Sequence, residues 1–530
     1  TWIGATTREG VQHLMTSQVD QLTAGHTQHL SRLEREAKLD APAEFALPHD
    51  CTLIGEVLAG GLEQQRLETV YYDTPDLRLA SRGITLRYRN SEGWTLKLPE
   101  TTRGKALIRT EYRFAGGNQA VPPAAADLVQ AVIRGQELGS VKRLRAARSR
   151  VRLRDSDQQP LGEIVDDKVS IIENNRAVAS FREIEVELAD EAPYRLLPRL
   201  VKALAKRGAM PAGPISKLLR ALGPRAGELH SEASQRTGAK PPIEQLVGSA
   251  ITVALDEIIR RDPRVRLGSD PEDVQQARAA VRRLRSALRS FAPLLDDEWV
   301  RLARTELDWL SAALGAVRDG EVLLSRLQSR IQSLPEEDRQ VGRTLIDRLA
   351  ATTAEKRAEL LIVLRSNRYL ELLDQLSAAS QLPPLKSAPE EGPAAPLKAV
   401  NRAWRQLRKT AESLPARPRD SELQALRIRA KRCRYAAESV ASLAGRRARR
   451  LARRCRRLQA ILGEHQDSVV TRAWLRQIAP LASGREAFVA GQIAATEGRA
   501  AAGDRPAWRR AWKRLAGSSD KKPYKDLMLS

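Results

Sequence analysis

Cysteine is scarce: the 530 residues include three, Cys51, Cys433 and Cys455. Three thiols cannot build a disulfide framework, and no C-x-x-C pair or Cys/His cluster has zinc-site spacing. A reducing cytoplasm is the expected location. Nowhere do about 18 consecutive apolar residues occur, and there is no signal-peptide core, so neither a membrane-spanning helix nor export is expected. Aromatic residues make up 4% of the chain, and few stand among its basic residues. A stacking platform for single-stranded nucleic acid is therefore disfavoured. Negative charge is also short: 65 Asp and Glu face 89 Lys and Arg, a formal charge of +24. Such an excess implies an anionic partner, whether nucleic acid, an acidic membrane surface or a polyphosphorylated compound.

The length suggests two to four domains. Residues 1–32 are polar and mixed, an N-terminal extension to which no function is assigned. From 33 to 222 the pattern is that of strands. In Glu34-Arg35-Glu36-Ala37-Lys38 the two glutamates and the lysine share one strand face, and Leu33, Ala37 and Leu39 lie on the other. Two carboxylates so spaced can hold a hard cation through oxygen. Ile84–Arg89, Trp94–Leu98, Ile108–Phe114, Arg148–Leu153 and Phe181–Leu188 alternate in the same way. Their charged faces carry Arg87 and Arg89, Lys97, Arg109, Arg150 and Arg152, and Glu183, Glu185 and Glu187. If those faces point inward, the sheet encloses a polar tunnel and wears its apolar residues outside, under helices. An unfilled tunnel is costly, because buried charges lose hydration. A metal-bound polyanion would satisfy both signs: carboxylates on Mg²⁺ or Mn²⁺, arginines forked onto phosphate, lysines as point charges. Asp166 and Asp167 are both candidates to assist metal or water, Arg182 falls on the apolar face, and Glu111 is placed to orient Arg109.

Residues 223–242 are Gly/Pro/Ser-rich, a linker. From 243 to 517 the apolar spacing is helical. A Pro-rich break at Leu382–Pro396 leaves two halves, 243–381 and 397–517, that match. Gln275, Arg278, Arg282, Arg283 and Arg285 recur 149 residues later as Gln424, Arg427, Lys431, Arg432 and Arg434. Leu314-Gly315 with Asp319 recurs as Leu462-Gly463 with Asp467, 148 residues later. This is an internal duplication. Arg278, Arg282, Arg285 and Arg289 form one helical stripe, and like charges so placed repel by roughly a few tenths of a kcal/mol per pair. Two such stripes in register point to an anion site. Residues 518–530 form a tail.

Residues 33–220 resemble the CYTH superfamily of triphosphate tunnel metalloenzymes. The resemblance rests on E-x-E-x-K (Glu34, Glu36, Lys38), Tyr71-Tyr72-Asp73-Thr74-Pro75, the Arg87/Arg89 strand, Thr95-Leu96-Lys97, the Glu183–Glu187 run and Ser216-Lys217. It implies an α+β multidomain protein beginning with an eight-stranded antiparallel tunnel barrel flanked by helices. It also implies a catalytic group of Glu34, Glu36 and Lys38. Glu34, Glu36, Glu183, Glu185 and Glu187 would hold metal. Arg87, Arg89, Lys97, Arg109, Arg150, Arg152 and Lys217 would cradle phosphate. Residues 243–517 resemble the CHAD domain, an all-α duplicated bundle. The carriers are the arginine repeats, the L-G-x-x-[RQ]-D turns and Trp508-Arg509-Arg510-Ala511-Trp512. This implies polyphosphate binding by Arg278, Arg282, Arg283, Arg285, Arg289, Arg427, Lys431, Arg432 and Arg434. Gln275 and Gln424 stand where that family carries its histidines; a glutamine can hydrogen-bond phosphate but cannot become cationic. The expected function is metal-dependent hydrolysis of inorganic triphosphate or short-chain polyphosphate, with polyphosphate held by the helices and granules as a further location. A polyphosphate-binding protein with little catalysis and an adenylyl cyclase on the same tunnel are the alternatives. No membrane partner is expected, and nucleic acid is disfavoured.

Overall fold

A computed structural model describes residues 31–103, 106–213, 215–226, 242–387, 395–504 and 507–517. Residues 1–30 of the expected extension, most of the linker and the tail lie outside them. The chain divides into two compact units, Thr1–Gly238 and Ala239–Ser530.

The first unit is built from strands β1 (Ser31–Asp40), β2 (Cys51–Ile54), β3 (Val57–Asp73), β4 (Thr85–Arg89), β5 (Gly93–Arg103), β6 (Ala106–Phe114), β7 (Gly139–Arg154), β8 (Pro160–Glu173), β9 (Arg176–Leu188) and β10 (Met210–Pro211). Eight close into an antiparallel barrel in the order β1-β6-β5-β4-β3-β7-β8-β9 and back to β1; β2 and β10 are appendages. Closure falls on β1, which pairs β6 through Ser31–Ala37 and β9 through Glu36–Leu39.

Alternation sorts each strand into an apolar and a charged side, and the apolar side is the outer one. Ile184, Val186 and Leu188 of β9 and Leu39 of β1 are fully buried beneath helix α1 (Leu196–Ala205). That helix returns Leu196, Leu197, Leu200 and Leu204 to the same core. Each such leucine is worth about 1.5–3 kcal/mol when fully buried, so Leu200→Asp would detach the helix. The Asp73-Thr74-Pro75 turn is scaffold. The Asp73 carboxylate accepts N–H bonds from Thr74, Leu79 and Ala80 at 2.7–2.9 Å, capping the short helix Arg78–Ser81. Helix α2 (Lys217–Leu222) begins at a Ser216 cap, and its first residue is the lysine expected to cradle phosphate.

The second unit is helical. Its elements are α3 (Ile243–Leu267), α4 (Pro271–Phe291), α5 (Asp297–Gln332), α6 (Glu336–Arg365), α7 (Asn367–Gln381), α8 (Ala395–Glu412), α9 (Asp420–Ser439), α10 (Ala441–Ile478), α11 (Gly484–Asp504) and α12 (Ala507–Ala516). The starts follow from local chemistry: Asp270 caps α4 through the Glu272 N–H with Pro271 next to it, and Asp296 caps α5 through the Trp299 N–H. Gly268 ends α3 at φ +70°, and a Cβ there would strike the Arg357 guanidinium. The duplication is visible as structure: α4 displaced by 149 residues is α9, and α5 displaced by 148 falls on α10. Trp508 and Leu515 of α12 seal the second repeat's core around Trp404, Leu407 and Leu458.

Candidate active site and anion site

Register brings opposite charges side by side inside the barrel. Glu34 faces Arg109, Lys38 faces Glu185, Lys97 faces Glu111 and Arg148 faces Asp167 across neighbouring strands. The result is a network. Glu34 accepts from Lys97 and from Arg109 at 3.0–3.1 Å. Glu36 accepts from Arg109 at 2.6 Å. Lys38 donates to Glu183 and Glu185, each at 2.7 Å. Lys217 reaches Asp167 and Glu183 at 3.1 Å and Glu185 at 2.5 Å. Arg87 and Arg89 share Glu92 at 3.5 and 2.7 Å.

Within the network lies a cavity of about 200 Å³, lined by ten basic and six acidic side chains. It is too small for a macromolecule and on the scale of a short polyanion. Glu34, Lys38, Arg87, Arg89, Lys97, Arg109, Arg150, Glu185, Glu187 and Lys217 all line it. Glu36 and Glu183 are buried directly behind, bonded to lining lysines and arginines. Arg152 stands apart: its side chain is 53% exposed and pairs with Glu63. The register of β8 separates the two aspartates. Asp167 faces inward to Arg148 and Lys217, and Asp166 faces outward to Arg182. Arg182 also donates to the carbonyls of Pro42 and Phe45, a structural clamp. Glu111 does not hold Arg109; it binds Lys97 at 3.1 Å and Arg113 at 2.8 Å. Arg148, Arg32, Arg113, Glu92 and Glu163 also line the cavity. Arg148 shares the parity of Arg150 and could have been found by it.

The electrostatics divide the carboxylates. Burial would raise Glu34, but Lys97 and Arg109 hold it down at about 2. Burial, followed by the Glu34 charge, pushes Glu187 up to about 8, although Arg32 lies 2.9 Å away. Burial also works against the charged forms of Lys38 and Arg109, yet the carboxylates around them raise both above their ordinary values. Among the described residues, no three Asp, Glu, His or Cys side chains are grouped as a ready metal site. The donors nonetheless fit a hard cation. They are oxygen-only, Glu36 and Glu187 are register partners, and Glu187 is short of positive charge.

In the second unit, α4 and α9 pack side by side. Equivalent residues of the two repeats meet: Ser290 and Ser439, 149 residues apart, touch at 3.3 Å. The stripes therefore converge on one seam. Lys431 has its pKa lowered to about 7, by burial first and then by Arg282, Arg427, Arg278 and Arg434. Arg282 and Arg427 are lowered for the same reasons, burial leading and Arg278 acting on both. Arg289 is lowered by burial and by Arg304 and Arg432. The seam thus crowds cations with few anions beside them, an arrangement suited to an anionic ligand. Not every predicted residue is at its centre. Arg278 is tied to Asp319 at 2.8 Å and Arg285 to Asp308; Arg432 is exposed, and Arg283 is half-buried on α4. Arg434 bonds Gln459 at 3.0 Å. The L-G-x-x-[RQ]-D segments are not turns but lie within helices α5 and α10, and in the first repeat the glycine is needed because a Cβ on Gly315 would sit 3.2 Å from the Arg278 guanidinium. Gln275 is engaged by Arg318 and by Glu272 at 2.8 Å. His465 is buried between Asp420 at 3.0 Å and the Ala501 carbonyl at 3.2 Å, a structural position.

A closed antiparallel barrel with paired charges inside is joined to a duplicated helical unit with a cationic seam, the architecture of a tunnel barrel followed by a helical module. Residues 33–217 match the CYTH domain and residues 249–476 the CHAD domain; the chain belongs to the CYTH–CHAD proteins. An uncharacterized protein of Mycobacterium tuberculosis is 33% identical over 498 residues, 87% of this chain and 92% of its own length. Two solved structures are similar: PptA from Streptomyces chartreusis (23% identity, TM-score 0.44, 52% of this chain and 100% of that one), and the CHAD domain from the plant Ricinus communis (26%, TM-score 0.43, 52% and 93%). CYTH tunnel proteins bind triphosphate substrates and generally depend on divalent metal, and CHAD domains are linked with polyphosphate. No described helix is long and apolar enough to cross a membrane.

Proposed function

We propose that the first unit hydrolyses inorganic triphosphate, or the end of a short polyphosphate chain, with Mg²⁺ or Mn²⁺, and that the second unit holds polyphosphate. The observation that carries this is the pairing inside the barrel: the inward glutamates are bonded to lysines and arginines, in a cavity with more basic than acidic groups. That arrangement is an exchangeable set. Glu34, Glu36, Glu185 and Glu187 would hold the metal, which supplies charge neutralisation and an oriented water when bound. Arg109, Lys97, Lys38 and Lys217, released from those carboxylates, then bind phosphate oxygens. Arg87, Arg89 and Arg150 add guanidinium forks. Glu183 stays behind Lys38 and Lys217 and aims both. The terminal phosphoryl group needs positioning and charge stabilisation rather than a protein nucleophile. Affinity of the second unit for polyphosphate would bring the chain to polyphosphate granules in the cytoplasm.

The test is phosphate release from triphosphate, long polyphosphate, ATP and thiamine triphosphate with and without divalent metal. Metal-dependent release from triphosphate is expected. Cyclic AMP formed from ATP while triphosphate stays intact would show the tunnel to be a cyclase. A second reading, a binding protein with little catalysis, draws on the same pairs: carboxylates gripped at 2.5–2.7 Å by Lys38 and Lys217 would resist metal. Polyphosphate binding without turnover at any metal concentration would favour it.

A further inference from the structure

The helix that follows the seam carries a second cationic surface. Gly445, at φ +55°, breaks α10 near its start. Beyond it, Arg446, Arg449, Arg450, Arg453, Arg456 and Arg457 are all exposed. At about 100° per residue they occupy an arc of roughly 120° and a length of roughly 16 Å. The opposite side of the same helix, with Ala448, Leu451, Cys455 and Leu458, is buried in the core of the second repeat. Among the described residues, only Arg456 of the six has an acidic partner, Glu438 at 3.0 Å. The equivalent stretch of the first repeat, 148 residues earlier, is different. It carries Glu298, Glu306 and Asp308, and these pair with Arg301, Arg368 and Arg285. The duplicated scaffold does not require the arginine face; one copy has it and the other is neutralised.

The face is continuous with the seam. Glu438 lies between Arg456 and Arg434, which it meets at 3.0 and 3.3 Å, and Arg434 is among the cations that depress Lys431. We propose that the Arg446–Arg457 face extends the seam into one track for long polyphosphate, so that the second unit binds long chains more tightly than short ones. This rests on the reading of the seam as a polyphosphate site. Three observations choose this occupant. The arginines recur at each helical turn and match a chain with charge on every repeat. No aromatic residue lies between Arg446 and Arg457 to stack a base. The track bends from one helix to the next around Glu438, which a flexible chain can follow and a stiff duplex cannot.

The experiment measures binding of short and long polyphosphate, and of duplex DNA, to the full chain at several salt concentrations. Three variants accompany the wild type: Arg446, Arg449, Arg450 and Arg453 all to Gln, the same four to Lys, and Arg282→Glu with Lys431→Glu. The glutamine variant should lose about tenfold or more for long chains with a shallower salt dependence, and keep its affinity for short ones. The lysine variant should recover most of the loss, which a misfolded helix would not. Equal loss for both lengths, no loss for long chains, or a larger loss for DNA than for long polyphosphate would each overturn the proposal. The seam reading fails separately, if Arg282→Glu with Lys431→Glu leaves short-chain binding intact.

Discussion

Lys431 should give polyphosphate binding a pH dependence of defined sign. The side chain is half-buried in the seam. Arg282, Arg427, Arg278 and Arg434 surround it from α4 and α9, and Asp467 is within electrostatic reach from α10. Burial and those guanidinium groups bring its pKa from 10.5 to about 7, so near neutrality the free protein carries it as a mixture of amine and ammonium. Phosphate in the seam favours the ammonium and raises the pKa again. Between about pH 7 and the bound-state value, binding therefore takes up a proton, and affinity falls as pH rises, with a limiting slope of about tenfold per unit. Solvent reaches a half-buried group, so about tenfold in all between roughly pH 7 and pH 9 is the expected size. The free protein should show the opposite trend. Its folded state disfavours the ammonium and its unfolded state does not, so this group adds stability as pH rises from about 7 toward 10.5. Titration calorimetry with long polyphosphate, in two buffers of different ionisation enthalpy, reads both affinity and proton uptake. Lys431→Arg keeps its charge throughout and should flatten the profile and abolish the uptake. Wild-type affinity that ignores pH, or a slope that survives in Lys431→Arg, would refute the reasoning.

Replacing Glu34 and Glu36 together by Gln should lower triphosphate turnover by more than about a hundredfold, the scale of losing preorganised charge stabilisation. Long polyphosphate binding by the second unit should persist, as filter binding would show; loss of both would contradict separate roles. Chelation of divalent metal should stop phosphate release and spare binding at the seam, measured on one sample by release assay and calorimetry. Gly268→Ala places a Cβ 1.9 Å from the Arg357 guanidinium nitrogen at φ +70°. It should cost about 1–2 kcal/mol, seen as a lower unfolding midpoint with turnover unchanged.

Much of this was legible because both periodicities are strong. Over Leu86–Arg89 of β4, Trp94–Leu98 of β5 and Glu183–Leu188 of β9 apolar and polar residues alternate, so those stretches' two faces could be read directly. Which face is inner could not, because a period of two carries no inside or outside; grouping of charges supplied the hint and register supplied the answer. Depth along a strand was equally hidden. Arg148, Arg150 and Arg152 have one parity, yet Arg148 is bound to Asp167 inside and Arg152 to Glu63 at the surface. Asp166 and Asp167 became distinguishable only once β8 was paired, placing Asp167 opposite Arg148 and Glu183. Glu92 sits in the β4–β5 turn, where no periodicity marks it. In the helices the offset of 149 located the stripes, and the meeting of equivalent residues that fuses them into one seam needed the fold.

The two sites answer the same problem, buried like charge, in different ways, and that difference sets what each can bind. In the barrel the cations are already satisfied by carboxylates, with Lys38, Lys217 and Arg109 each bonded at 2.5–2.7 Å. Phosphate alone would take the cations and leave buried glutamates unpaired, at a cost of several kcal/mol for each ion. Metal alone would take the glutamates and leave the lysines. Only the two together satisfy every charge, so binding there should be strongly cooperative between metal and triphosphate. The seam has the opposite balance. Arg282, Arg427 and Lys431 repel one another and are all held below their ordinary pKa values, so phosphate relieves that repulsion, with Asp467 the carboxylate it would compete with. A metal-bound chain would offer that seam less negative charge than a bare one. Added Mg²⁺ should therefore tighten triphosphate in the tunnel and weaken polyphosphate on the helices, and a single Mg²⁺ titration followed at both sites separates the two modes. Strengthening at both would show that the seam, too, binds through metal.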